Sequence, residues 1–366
     1  MMRIIQVVAR RAPTIPIMTS LPQTLPDSSA APLRGGPVLR WGVLAPGMIA
    51  NAFVGTLHAN TDQRVIAVAS RSAERASRFA SAHGIPSWYD SYEVLVTDPT
   101  VDIVYIASPH SEHRALALLA IAAGKHVLVE KPIGTSAAEA REIADAATAA
   151  GVFAMEAMWS RFLPQTTVIN SLLADGVLGD VQLVTADFGG KPAFDPQSRI
   201  FDPALGGGAL LDLGVYPIWF AHFVLGTPTE ITATGTLAAT GVDGQTALVL
   251  DGDEGAQAVL STSLFVQTTA EARIFGTRAR IEVDPLFLMP GSFALVGPDG
   301  GELLWRDESG LDGRDGLAWQ AASVARDIAD GRLQSALHPL RRSIAVLETI
   351  DEARRQVRAI GAPPRG

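Results

Sequence analysis

The chain has 366 residues, 48% apolar and 18% charged, with 29 Lys+Arg against 38 Asp+Glu and a formal net charge of −9. This is the composition of a globular protein of about two domains, at ~100–200 residues each, and an acidic chain without a basic run argues against a nucleic-acid partner. Absence of cysteine excludes disulfides, iron–sulfur clusters, thiolate metal sites and cysteine nucleophiles and fits a cytoplasmic protein; no stretch approaches the ~18 uninterrupted apolar residues of a membrane span.

Residues 1–36 are expected to be a disordered tail. From Ala12 to Gly36 they are rich in Pro, Ser, Thr and Ala and carry neither a helical nor a strand period. Met1–Arg11 could form a short basic amphipathic turn. Arg10 and Arg11 follow the apolar run, the wrong order for a secretory signal. Met18 is an alternative start, and residues 1–36 are expected to be dispensable.

From Val38 apolar runs alternate with helical patterns. VLRWGVLA (38–45), VIAVAS (65–70), VDIVYIAS (101–108), HVLVE (126–130) and GVFAMEAM (151–158) read as buried strands. Helices are expected over Met48–His58, over SAERASRFASAH to Gly84, over HSEHRALALLAIAA to Gly124, and from Ser136 to about Ala150. Continuous apolar strands separated by helices predict a doubly wound parallel sheet, a dinucleotide-binding domain over 37–158. The remainder, 159–366, reads as a substrate-binding and oligomerisation domain of the α+β class. A helix is expected over 164–176 and a strand over 181–189, followed by an apolar helical segment (206–226) interrupted at Pro217. Strand runs at hairpin spacing then predict a large, mainly antiparallel open sheet, and two helices (about 313–330 and 338–358) close the chain. AQAVLSTSLFV (256–266) alternates poorly and is expected to be buried on both faces, which suggests a homodimer or higher oligomer through this sheet.

Between the first strand and helix, Gly42-Val43-Leu44-Ala45-Pro46-Gly47-Met48-Ile49-Ala50 approximates GxGxxA, with Ala45 where the first glycine would stand. A helix N-terminus there offers free N–H groups and a partial positive charge to a pyrophosphate. A plain strand-to-helix turn would look the same. The second strand ends Ser70-Arg71-Ser72 without the carboxylate that holds a ribose 2′-hydroxyl in NAD sites. Arginine and two hydroxyls suit a 2′-phosphate, so NADP is favoured over NAD. The bland alternative makes Ser72 an N-cap.

Glu130-Lys131-Pro132 after HVLV, the opening GVLAPGMIA and the loop ASPHSEH (107–113) resemble the Gfo/Idh/MocA oxidoreductases, from about Leu39 to Arg358. MEAMWSRFLP (155–164) and LGGGALLDLGVYP (205–217) are similar to its dihydrodiol dehydrogenase, D-xylose dehydrogenase and glucose–fructose oxidoreductase group. The resemblance implies Lys131, Asp212 and Tyr216 as catalytic residues, with Lys131 at the substrate hydroxyl or carbonyl. Spacing i, i+4 would place Asp212 and Tyr216 on one helix face, and a lysine cation near Tyr216 would lower its pKa. Ser108, Pro109, His110, His113, Glu130 and Arg161 are implied cofactor contacts, with Glu130 structural or cofactor-orienting. Trp159, Phe162, Asp187 and Lys191 are candidate substrate contacts at the domain junction. Plainer readings make Trp159 and Phe162 domain packing and His113 a capped surface residue. His58, His83, His126, His222 and His338 show no ligand spacing, so no metal is expected. The implied activity is NAD(P)-dependent hydride transfer at a carbinol carbon of a sugar, polyol or cyclic diol. An NAD-dependent glycosidase and a non-enzymatic nucleotide or sugar sensor are the alternatives.

Overall fold

The computed structural model describes residues 21–361. The amphipathic turn expected at Met1–Arg11 and the alternative start at Met18 lie outside the described residues. Strand and helix alternate as the apolar runs predict: β1 (Arg40–Leu44), α1 (Met48–Asn60), β2 (Arg64–Ala69), α2 (Ala73–His83), β3 (Ser87–Tyr89), α3 (Tyr92–Thr97), β4 (Ile103–Ile106), α4 (His113–Ala122), β5 (His126–Glu130), α5 (Ala137–Ala150) and β6 (Ala154–Ala157). These strands form one parallel sheet in the order β3-β2-β1-β4-β5-β6. The order reverses between β1 and β4, so a crevice opens at their carboxyl ends, where doubly wound sheets bind ligands. β3 and α3 are additions to the expected elements; each is too short to show a period.

The second half contains α6 (Pro164–Ala174), β7 (Val181–Gly189), α7 (Val215–Leu225), β8 (Glu230–Leu237), β9 (Asp243–Asp251), β10 (Gln257–Ser263), β11 (Ala272–Gly276), β12 (Arg280–Val283), β13 (Phe293–Val296), β14 (Glu302–Trp305), α8 (Leu317–Ala329) and α9 (Leu340–Gly361). Its sheet runs β14-β13-β12-β11-β7-β10-β9-β8 and is antiparallel except where β7 meets β10. β10 corrects the expectation of burial on both faces. Ala258, Leu260 and Thr262 are buried, whereas Gln257, Val259 and Ser261 are exposed, Val259 at 48%. The sheet is therefore covered on one side by α7 and α9 and open on the other.

Pro217 does not interrupt its helix. Leu210–Gly214 opens as a π-turn that passes into α7, and this widening accommodates a proline that cannot donate its own backbone bond. The stretch Pro203–Leu225 has the length and hydropathy of a membrane span, yet 78% of its most apolar window is buried inside the protein. It is a core element.

Residues 21–36 also correct an expectation. They are a packed strap, not a disordered tail. Leu21, Leu25, Ala30 and Leu33 lie against the core. Ser28 Oγ is 2.9 Å from Thr167 Oγ1 on α6, and Arg34 donates to Ala59 O at 2.5 Å at the end of α1. Isolated apolar residues in a Pro-rich chain can bury without secondary structure, so periodicity does not detect them.

Candidate active site

One cavity of about 630 Å³ runs from the α1 N-terminus to the start of α7. Its first end is the Ala45–Ile49 loop. Ala45 has φ +57°, the left-handed conformation that glycine adopts without cost, which explains the glycine usual in such loops. Gly47 stands at the N-cap of α1, where no side chain caps the free N–H groups and no acidic residue occupies the first turn. The starts of α2, α3 and α5 are capped by Ser72, Ser91 and Ser136. An uncapped N-terminus facing a cavity is suited to an anion. The buried Ser108 Oγ, after the neighbouring strand β4, also lines the cavity and has no partner. These residues fit the pyrophosphate and adjoining parts of a dinucleotide.

Arg71 and, one helical turn on, Arg75 line the same end; Arg75 was not foreseen. Arg71 Nη2 lies 3.0 Å from Glu112 Oε1. The serines are bound within the turn: Ser70 Oγ accepts from Ser72 N at 3.3 Å, and Ser72 Oγ accepts from Arg75 N as a cap.

At the other end the structure brings Lys131, Asp212 and Tyr216 together. Lys131 Nζ donates to Asp212 O at 2.7 Å and lies 4.0 Å from Asp212 Oδ1. Burial pulls the Lys131 ammonium below its ordinary pKa, opposed by the Asp212 carboxylate. Burial pushes the Asp212 carboxyl up, but Lys131 and Arg199 outweigh it and hold it at about 2. Arg199, absent from the sequence expectations, donates to Asp212 Oδ1 at 2.8 Å. His110 completes the cluster, with Nε2 4.0 Å from Asp212 Oδ1, and burial lowers it to about 3, so it is neutral.

The expected lysine–phenolate contact is not present. Lys131 Nζ sits over the Tyr216 ring, 4.8 Å from its centroid. The Tyr216 hydroxyl instead accepts from Trp159 Nε1 at 2.9 Å. Burial drives the Tyr216 pKa well up, not down, and the Trp159 bond offsets only part of this. Tyr216 is therefore a protonated phenol whose own hydrogen is free to donate.

Behind Lys131, Glu130 Oε1 accepts from Tyr105 Oη at 2.5 Å and Glu130 Oε2 from Lys131 N at 3.1 Å. His113 is fully buried, with ring nitrogens 2.8 Å from Pro132 O and 2.9 Å from Ser108 O. It joins two cavity loops and, although buried, belongs to the cavity lining, so the capped surface position that was its alternative reading does not hold. Glu156 Oε1 accepts from Ile133 N at 3.0 Å, and its other oxygen meets His338 Nε2 at 2.9 Å. Three buried side chains thus fix the backbone that carries Lys131.

Four other expectations are corrected. Arg161 is turned away from the cavity onto Asn170 Oδ1 (3.2 Å) and the face of Phe223. The short 3-10 turn Trp159–Phe162 points successive residues about 120° apart, so Trp159 faces the cleft and Arg161 does not. Phe162 is core, at 2% exposure. Asp187 accepts from Ala270 N and Glu271 N, both at 3.2 Å, and shapes a loop. Its neighbour Phe188, on the opposite face of β7, lines the cavity and meets the Tyr216 ring edge-on at 5.8 Å. Lys191 is exposed beyond the strand and does not line the cavity. Leu213, Leu288, Met289 and Arg314 also line the cavity. No group of three metal-ligating side chains occurs among the described residues.

The position of Asp212 and Tyr216 depends on a buried anchor. Asp243 Oδ2 accepts from Leu210 N at 2.6 Å, at the start of the π-turn. Gly208 has φ +126°, and a Cβ there would lie 2.4 Å from Asp243 Oδ1. Gly208→Ala is expected to cost about 2–4 kcal/mol through strain and overpacking. A thermal melt should show the loss as a decrease of several degrees, with turnover reduced more than cofactor binding.

Comparison with known proteins agrees with this geometry. The family model described as "Oxidoreductase family, NAD-binding Rossmann fold" matches residues 39–158, and that described as "GFO/IDH/MocA C-terminal domain" matches 167–282. Trans-1,2-dihydrobenzene-1,2-diol dehydrogenase of Macaca fascicularis is 35% identical over 325 residues, covering 87% of this chain and 97% of that one. The aldose-aldose oxidoreductase of Caulobacter crescentus, solved with glycerol, has TM-score 0.79 and 25% identity and covers 88% and 98% of the two chains. A 3-ketoreductase of Actinomadura kijaniata, solved with NADP and TDP-benzene, has TM-score 0.76 and 27% identity and covers 87% and 98%.

Proposed function

The chain belongs to the GFO/IDH/MocA family of NAD-binding oxidoreductases, and from that premise we propose that it is an NADP-preferring dehydrogenase of a sugar, polyol or cyclic diol. The observation that carries the proposal is one cavity with an uncapped helix N-terminus at one end and Lys131, Asp212 and Tyr216 at the other. Bound there, a nicotinamide cofactor supplies the acceptor for the carbinol hydrogen as hydride, or the donor in the reverse direction. Lys131 Nζ and the Tyr216 hydroxyl are the groups that exchange the substrate hydroxyl proton as C–O becomes C=O. Asp212, held by Arg199, orients Lys131. Trp159 and Phe188 present aromatic surface to the substrate ring. The enzyme works in the cytoplasm and associates as a homodimer through the open face of the second sheet, where Val259 is exposed. Elution as a monomer at micromolar concentration would refute that assembly.

A panel of aldoses, inositols and cyclic diols with NADP and with NAD, followed by the absorbance of the reduced nicotinamide, tests the activity. No turnover with any member would count against it. The cofactor preference rests on Arg71 and Arg75 and the absence of a carboxylate at the end of β2. Glu112 now pairs with Arg71, so it competes with a 2′-phosphate. Arg71→Ala is expected to raise the Kd for NADP about tenfold with little change for NAD. Glu112→Gln is expected to lower the NADP Kd by a factor of roughly 2–5, the scale of an exposed ion pair. Cofactor fluorescence titration measures both, and equal effects on the two cofactors would reverse the assignment.

A further inference from the structure

Lys131 and its partners come from distant parts of the chain. Lys131 stands on the turn between β5 and α5, whereas Asp212 and Tyr216 stand on the π-turn and the start of α7. Pro132 O lies against His113, Ile133 N donates to Glu156, and Thr135 N donates to Glu139 Oε2 at 2.7 Å, so the Lys131 turn is held as one body. The π-turn is held separately, by Leu210 N on Asp243 Oδ2. The direct polar link between them, Lys131 Nζ to Asp212, is made by groups that also serve the substrate. Their alignment calls for a support outside the cleft.

Helix α9 is placed to give it. It packs against α5 and against β8, β9 and the π-turn. Gln356 fastens it to β8, accepting from Ala233 N and donating to Ile231 O, both at 2.7 Å. Asp351 Oδ2 accepts from Ala137 N at 2.9 Å, at the start of α5. Between these two, Arg354 Nη1 donates to Thr135 O at 3.1 Å, on the Lys131 turn. The same guanidinium acts on Asp243, the first residue of β9. Burial pushes that carboxyl up to about 6, and the Leu210 bond and then the Arg354 charge oppose it. A guanidinium is planar and permanently charged, with its donors in a rigid fork, so it suits the joining of two fixed acceptors.

We propose that Arg354 is a positioning residue, which links Thr135 O to the Asp243 anchor and so sets the separation of Lys131 from Asp212 and Tyr216. Its effect on turnover rests on the dehydrogenase reading above; its effect on the Lys131 amine does not.

The test has a spectroscopic arm and a turnover arm. Lys125, Lys131 and Lys191 are the lysines of the chain, so in protein carrying isotopically labelled lysine each amine can be titrated by NMR, with Lys131→Met assigning the Lys131 signal. Arg354→Met is expected to shift the Lys131 titration by about half a pH unit or more, leaving Lys125 and Lys191 unchanged. Arg354→Lys, which keeps a cation and a donor, should stay near the wild type. Arg358→Gln should leave Lys131 where it is: it removes a cation that also acts on Asp243, one helical turn on, and spares the Thr135 bond. Asp243→Asn tests the link from β9 and should shift Lys131 too, without adding to Arg354→Met.

In the second arm, Arg354→Met should lower kcat about 10–10²-fold with the NADP Kd unchanged. In the Lys131→Met background the same substitution should cost less than about twofold, because the group that it aligns is gone. A merely structural role would cost the same factor in both backgrounds. That result would overturn the proposal, as would a wild-type Lys131 titration in Arg354→Met and in Asp243→Asn, or an equal shift in Arg358→Gln. If Lys131 shifts as expected but the wild type oxidises or reduces nothing with either cofactor, the inference stands and the dehydrogenase reading fails.

Discussion

Lys131→Met is expected to reduce kcat by about 10³-fold or more while leaving the NADP Kd within a few-fold of wild type. The substitution keeps an unbranched apolar stem over the Tyr216 ring and removes the cation, its donors and its capacity to take a proton. A positioned acid–base group contributes about 10²–10⁴ in rate, and a lost donor at a developing oxyanion about 10²–10³. The effect should be on turnover because Lys131 stands at the α7 end of the cavity, away from Gly47 and Arg71.

The pH profile gives a second readout. Burial lowers the Lys131 pKa from its ordinary 10.5, so the neutral amine forms at lower pH than in a free lysine. In oxidation that amine accepts the hydroxyl proton, and kcat should rise with pH through this pKa. In reduction the ammonium donates, and kcat should fall along the same limb. Both limbs should vanish in Lys131→Met. Near-normal activity, or an unchanged limb, would remove Lys131 from proton transfer.

Much of this fold was legible because its signals are local. Apolar runs of β1, β2, β4 and β5 alternate with helical stretches, and α2 and α5 each start at a Ser and stop at a Gly that can be read directly, Ser72 and Gly84 around α2 and Ser136 and Gly151 around α5. Lys131, Asp212 and Tyr216 were recognised from short segments, two of them on one helix. What was not legible depends on distance and direction. Arg199 sits in an irregular loop with no period, and only the tertiary fold carries it to Asp212. Asp187 and Phe188 differ by one position on β7, and strand pleating sends one to a loop and the other into the cleft. The lysine–tyrosine relationship shows the same limit. A lysine cation near the hydroxyl was expected to lower the phenol pKa, but the cation lies over the ring face while burial surrounds the hydroxyl.

Tyr216→Phe is expected to cut turnover by about 10²–10⁴, with NADP binding near normal. Phenylalanine keeps the ring beneath Lys131 and beside Phe188, so packing and the cation–π contact survive. Only the hydroxyl is lost. In the parent chain that hydroxyl accepts from Trp159 Nε1, which orients it and leaves its own hydrogen for the substrate oxygen. Its raised pKa keeps it protonated through the neutral range, so it acts most directly as the donor when a carbonyl is reduced. In oxidation the proton must finally pass to Lys131, the group whose pKa is lowered. Tyr216 and Lys131 therefore serve one transfer, and the double variant should lose far less than the product of the single losses. The structure adds a directional expectation. Tyr216→Phe should harm reduction more than Lys131→Met does at alkaline pH, where a neutral lysine has no proton to give. Stopped-flow absorbance of the reduced nicotinamide in both directions measures each term. Nearly full turnover in Tyr216→Phe would leave Lys131 as the single acid–base group, and full multiplicativity in the double variant would show that the two act on separate steps.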